Sequence, residues 1–140
     1  MRILILNGPN LNLLGSREPS VYGGRSFDEY LSELRSGFMG VTIDYLQTNL
    51  EGELVSAIQQ ADGRAKGIVL NAGGYAHTSV AVRDAIVAVR VPVVEVHISN
   101  LLAREPFRHI SLTGSVCAGS IMGFGLEGYR MAVMHLIQRA

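Results

Sequence analysis

Gly67-Ile68-Val69-Leu70-Asn71 and Pro92-Val93-Val94-Glu95-Val96-His97 are the two stretches that decide the fold. Both are short, nearly continuous apolar runs rich in β-branched residues, the pattern of parallel strands covered on both faces. Between them, Thr78 or Ser79 can start a helix over residues 80–89, which has to end before Val91-Pro92. Strand, helix and strand in this order make a right-handed crossover unit. The alternation continues in both directions, with further strands expected over 3–7, 41–47 and roughly 115–122. Ser26-Phe27-Asp28-Glu29 reads as a capping box opening a helix to about Met39. Asn49 can cap a helix through Leu54, Ile58 and Ala61, and a last helix over 126–138 should bury Tyr129, Val133 and Leu136. The expected architecture is a three-layer α/β sandwich around a parallel sheet of five strands, in a single domain spanning 1–140.

Apolar residues make up 48% of the 140, enough for one core, and the formal charge balances at +0. That balance offers no basic surface to nucleic acid and no polybasic patch to a membrane. No stretch reaches the roughly 20 apolar residues that span a bilayer. The first apolar run gives way to Asn7 and Gly8, too soon for a signal-peptide core. The lone Cys117 excludes an internal disulfide framework and any multi-cysteine metal site. A cytoplasmic protein is expected. Lys66, the only lysine, sits in the polar turn Gly63-Arg64-Ala65-Lys66-Gly67, so chemistry through an imine, which needs a desolvated lysine, is disfavoured.

The longest irregular stretch, residues 8–25, exceeds the usual βα loop of about two to six residues. It follows the first strand, and in open α/β sheets ligands bind outside the carboxyl ends of the strands. Leu11, Leu13 and Leu14, with Pro9 and Pro19, argue for an ordered loop base. Polar residues gather at those strand ends: Asn10, Arg17 and Tyr22 after the first, Asn71 and His77 after the third, Glu95, His97 and Ser99 at the fourth. Glu95 and His97 are two apart in a strand and so share a face. A carboxylate in an apolar strand needs a partner, and an imidazole beside it would have its pKa raised and its tautomer fixed. The pair reads either as acid–base machinery or as a satisfied ion pair of the core. Tyr22 reads either as a packed turn aromatic or as a base. A phenol with an unshifted pKa is only about 0.1% ionised at pH 7, so a base there needs a cation such as Arg17, with Arg104 or Arg108 adding to the field. His77 lacks the HxxxH and HxH spacings of metal ligands. Residues 123–128 match GxGxxG in letters, but no further βαβ unit follows, and close helix packing is the better reading. Arg104, Glu105, Arg108 and His109 form a charged turn; nearness to His97 makes Arg108 a candidate hydroxyl or anion clamp.

These residues carry a family likeness. Leu6-Asn7-Gly8-Pro9-Asn10-Leu11-Asn12-Leu13-Leu14-Gly15, Arg17-Glu18-Pro19, Asn71-Ala72-Gly73-Gly74-Tyr75, Glu95-Val96-His97-Ile98-Ser99-Asn100 and Phe107-Arg108-His109 follow one another in the order found in type II 3-dehydroquinate dehydratases. The chain resembles that family along almost its whole length. The resemblance implies a flavodoxin-like fold, a single catalytic domain, and conversion of 3-dehydroquinate to 3-dehydroshikimate by anti elimination of water through an enolate, without metal or organic cofactor. It implies Tyr22 as the base, Arg17 lowering its pKa, and Asn10 holding the water that stabilises the enolate oxygen. His97, oriented by Glu95, is implied as the acid. Backbone amides at Ile98 and Ser99 would bind the substrate carboxylate, and Asn71, His77 and Arg108 the ring hydroxyls. The family's homododecamer, a tetramer of trimers, would bring Asp84 across the trimer interface into a neighbour's site.

The chain departs from the family pattern at Leu50, where many relatives have histidine, at Leu102 and Pro106, and in a first helix that looks short and interrupted at Gly37 and Gly40. Changes in packing or assembly are expected there, with a small shift of Arg108. A flavodoxin-like binding module is the rival reading, disfavoured because no phosphate loop and no clustered acidic pocket appear at the strand ends. An assembly protein without activity is the other, disfavoured by the intact motif residues.

Overall fold

The computed structural model describes residues 1–16 and 24–139. Five strands form one parallel sheet in the order β2-β1-β3-β4-β5: β1 Arg2–Asn7, β2 Thr42–Gln47, β3 Gly67–Asn71, β4 Val93–His97 and β5 Gly119–Met122. This is the strand order of flavodoxin-like doubly wound folds, whose direction of winding reverses between β1 and β3. Among the described residues five helices connect and cover the strands: α1 Phe27–Ser36, α2 Glu51–Ala61, the single turn α3 Tyr75–Thr78, α4 Val80–Ala88 and α5 Glu127–Arg139.

Side-chain alternation divides each strand between two cores. Ile3, Ile5, Val69, Val94 and Val96 pack on Phe27, Leu31, Tyr129 and Val133 of α1 and α5. Leu6, Ile68, Leu70 and Val93 pack on Leu54, Ile58, Val82 and Ile86 of α2 and α4. Tyr129, Val133 and Leu136 are buried as expected. The GxGxxG letters do serve packing, since a Cβ on Gly128 would stand 3.2 Å from Val96 Cγ1. Glu95 and His97 alternate with Val94 and Val96 and so project with Val93 onto the α2–α4 side of the sheet.

Several boundaries differ from the sequence reading, each for a local reason. α1 stops at Ser36 instead of reaching Met39, because the Gly37 amide closes the last turn onto Glu33 and Leu34 carbonyls. Ser26 does cap it, its Oγ accepting from the Glu29 amide at 3.2 Å. Asn49 does not cap α2: Thr48 Oγ1 accepts from the Leu50 amide at 3.1 Å and donates to Glu53 Oε1 at 2.6 Å. Asn49 Oδ1 accepts from the Asn10 amide and from Gln47 Nε2 instead, both at 3.0 Å. Ser79 and not Thr78 caps α4, accepting from the Val82 amide at 2.9 Å. β5 begins at Gly119, since Gly114–Val116 winds into a 3-10 turn whose first amide is taken by Ser111 Oγ. Of the three leucines at the base of the long loop, Leu11 and Leu14 are buried while Leu13 is exposed.

Candidate active site

The loops leaving β1, β3 and β4 meet over the β1–β3 reversal and enclose a cavity of about 120 Å³, lined among others by Asn10, Asn71, His77, His97, Ser99 and Arg108. Its floor depends on a close approach of two strand exits. The Gly8 amide donates to the Asn71 carbonyl at 2.7 Å, and a Cβ on Gly8 would fall 2.5 Å from the Ala72 carbonyl oxygen, so only glycine fits. Asn10 follows in the left-handed conformation, at φ 71°. The Asn49 side chain pins its amide, a tie across 39 residues that fixes the rim of the crevice.

Glu95 and His97 are both buried, at 1% and 5% exposure. His97 Nε2 lies 3.0 Å from Glu95 Oε2, but off the line that a hydrogen bond of normal geometry needs. The two side chains are held together by their close approach. Burial works to raise the Glu95 pKa; the contact with His97 and the hydroxyls of Thr113 and Ser111 outweigh it, so the carboxyl titrates below its ordinary range. The His77 ring stacks beside His97, with centroids 6.0 Å apart. His77 Nδ1 lies 2.8 Å from the Ile110 carbonyl. A carbonyl only accepts, so that nitrogen carries hydrogen and Nε2 is left for other partners.

Asn71 sits at the end of β3 with its amide orientation fixed. Its Oδ1 accepts from the Gly73 amide at 3.2 Å, and its Nδ2 donates to Tyr129 Oη at 2.9 Å. Tyr129 Oη donates in turn to Asn7 Oδ1 at 2.8 Å. Arg108 leans on Glu105, 3.2 Å and 3.3 Å from its two oxygens, and covers the Phe107 ring. Arg104 also lines the cavity and donates to Ser99 Oγ at 3.3 Å. The crevice thus joins a carboxylate–imidazole pair to a cationic rim, an arrangement suited to moving a proton on a small anionic molecule.

Of the residues singled out from sequence, Asn10, Asn71, His77, His97, Ile98, Ser99 and Arg108 line this one cavity, with Glu95 directly behind His97. Asp84 does not join them. It stands exposed on α4, paired with Arg83 at 3.0 Å. Arg17 and Tyr22 lie outside the described residues. Sequence reading missed Ser111, Thr113 and Ser120, whose hydroxyls surround Glu95, and the part Asn49 plays under Asn10. Lys66 is exposed, in the turn leading into the amino end of β3, as a solvated loop lysine should be. Among the described residues no group of three His, Cys, Asp or Glu converges as a metal site would require, and no helix is long and apolar enough to cross a membrane.

Fold and crevice together define a class: a flavodoxin-like α/β protein with a buried carboxylate–imidazole pair near the winding reversal. The model of one family, dehydroquinase class II, matches residues 1–137. A 3-dehydroquinate dehydratase from Aeromonas salmonicida is 52% identical over 134 residues, covering 94% of this chain and 90% of the relative. A 3-dehydroquinate dehydratase 2 from Pseudomonas putida is 51% identical, covering 97% of this chain and 93% of its own. The crystal structure of a type II dehydroquinase from Butyrivibrio crossotus superposes with a TM-score of 0.94 at 43% identity, covering 98% of this chain and 97% of that one. The chain belongs to the class II dehydroquinase family.

Proposed function

We propose that this protein is a dehydratase that converts 3-dehydroquinate to 3-dehydroshikimate, a step of the shikimate pathway. The observation that carries the reading is the buried Glu95–His97 pair, set in the crevice of a chain half identical to 3-dehydroquinate dehydratases over nearly its full length. Anti elimination from a β-hydroxyketone needs a base, a stabiliser for the enolate oxygen and an acid. Tyr22, assisted by Arg17, takes the proton alpha to the ketone. Asn10 holds the water that faces the enolate oxygen. The enolate re-forms the ketone as the carbon–oxygen bond breaks, and His97, oriented by Glu95, protonates the departing hydroxyl, so that water leaves. The amides of Ile98 and Ser99 receive the substrate carboxylate; Asn71, His77 and Arg108 receive ring hydroxyls. The chemistry needs neither metal nor organic cofactor.

The same reading makes residues 1–140 one catalytic domain of a cytoplasmic homododecamer, a tetramer of trimers, in which Asp84 reaches the site of a neighbouring subunit. The exposed position of Asp84, away from its own crevice, supports this. Pure protein mixed with 3-dehydroquinate should give the rising ultraviolet absorbance of a conjugated enone. Folded protein that gives none overturns the assignment, and a Tyr22→Phe variant at full rate overturns the proposed base.

A further inference from the structure

The surroundings of Glu95 are unusual for a buried carboxylate. Ser111 Oγ lies 3.0 Å and 2.9 Å from its two oxygens, Thr113 Oγ1 donates to Oε1, and Ser120 Oγ reaches Oε2 at 3.4 Å. Ser111 is itself held in place, because its Oγ accepts from the Gly114 amide at 2.9 Å. Every one of these donors is a neutral hydroxyl, and among the described residues the ion pair of Glu95 is with His97. A cation in the same place would hold the carboxylate as an anion but would cancel its field at the imidazole. Hydroxyl dipoles stabilise the anion and leave its net charge intact.

We propose that Ser111 and Thr113, with help from Ser120, are positioning residues for the reaction: their hydroxyls keep Glu95 ionised and aimed, so that an undiminished negative charge holds the His97 ring and its proton at the crevice. This role rests on the dehydratase reading, whereas the cradle itself does not. Gly114 completes the cradle. A Cβ there would stand 2.5 Å from Glu95 Oε2 and 3.0 Å from Ser111 Oγ, so any larger residue displaces the carboxylate. The other titratable groups facing the pair leave the design intact. Burial pushes the Cys117 thiol up to about 12, which keeps it neutral beside Glu95. His77 stacks on His97 from α3, and Arg104 and Arg108 line the crevice that His97 also lines.

The full-length protein with Thr113→Val or Thr113→Ser tests this through two readouts. The first is the carbon-13 titration of the Glu95 carboxyl in the folded protein. Loss of one hydrogen bond to a charged group should move its midpoint up by about one pH unit in Thr113→Val, and Thr113→Ser should restore it. The second is turnover: Glu95 stays ionised at neutral pH after a shift of that size, so the lost aim of the carboxylate is what should lower kcat there, about tenfold, with KM held within about twofold, again restored by serine. If Thr113→Val does not fold, Ser120→Ala, which removes the longest of the contacts, should still move the Glu95 midpoint upward by a smaller amount. A Glu95 titration identical in wild type and folded Thr113→Val overturns the cradle, as does an equal displacement in Thr113→Ser. A displaced titration with unchanged kcat overturns its part in the reaction. An inactive wild type would instead refute the dehydratase reading, while the carboxyl titration still decides the cradle.

Discussion

Replacing Tyr129 with phenylalanine removes one oxygen from the centre of the molecule and leaves every carbon in place. The Tyr129 side chain is fully buried between β1, β3 and α1, where its ring meets Phe27 edge-on at 4.9 Å. Its hydroxyl accepts from Asn71 Nδ2 at 2.9 Å and donates to Asn7 Oδ1 at 2.8 Å. The variant therefore strands one buried donor and one buried acceptor without opening a cavity. Each stranded group costs about 1–3 kcal/mol, so a loss of about 3 kcal/mol is expected, out of a total stability of about 5–15 kcal/mol. Tyr30→Phe is the internal control, since Tyr30 Oη is also buried but has no hydrogen-bond partner among the described residues. Its removal strands no partner and relieves a buried hydroxyl of an unmet hydrogen bond, so stability should hold or rise rather than fall. Urea unfolding followed by circular dichroism, at one fixed protein concentration, reads both. A Tyr129→Phe midpoint matching wild type at an unchanged slope would refute the reasoning, and so would equal losses in the two variants.

Two further outcomes follow from the same contacts. Glu95 has a folded pKa below its ordinary 4.5, so its contribution to stability is present above that value and is lost as pH falls through the lower folded value. Glu95→Gln should accordingly weaken the fold at neutral pH and flatten the loss of stability on acidification below about pH 4.5. Urea midpoints measured across that range check it, and parallel acid limbs in the two proteins would contradict it. Ser79→Ala should cost about 1 kcal/mol through loss of the α4 cap, while Thr78→Ala should stay within about 0.5 kcal/mol. Thermal unfolding separates the two, and a reversed ranking would return the cap to Thr78.

The parts of the fold that were readable in the sequence are those set by local period. β3 and β4 are continuous apolar runs because helices cover both faces, and Glu95 was conspicuous because a carboxylate has no place in such a run without a partner. His97 was found as that partner because strand alternation puts residues two apart on one face. What surrounds the pair was not readable. Ser111, Thr113 and Ser120 come 16, 18 and 25 residues after Glu95. Their hydroxyls look like ordinary loop polarity until the chain folds back over β4. The tie from Tyr129 to Asn7 spans 122 residues and carries no local signal at all. Asn49 misled for a related reason. It is a good helix-capping residue one position before the observed cap, but the Asn10 amide across the crevice competes for the same oxygen and wins. The extension of β5 failed because Val116 and Cys117 look like strand residues, whereas the Gly114 turn is drawn toward Ser111 and Glu95.

The central claim is that the Glu95–His97 crevice dehydrates 3-dehydroquinate with His97 as the acid. Initial rates of enone formation for wild type and His97→Asn, at matched concentrations of folded protein, test it most directly. A rapid wild-type rate is expected, with a fall in kcat of about 10²–10⁴-fold in the variant and KM changed far less. A His97→Asn variant that retained the wild-type kcat would contradict it.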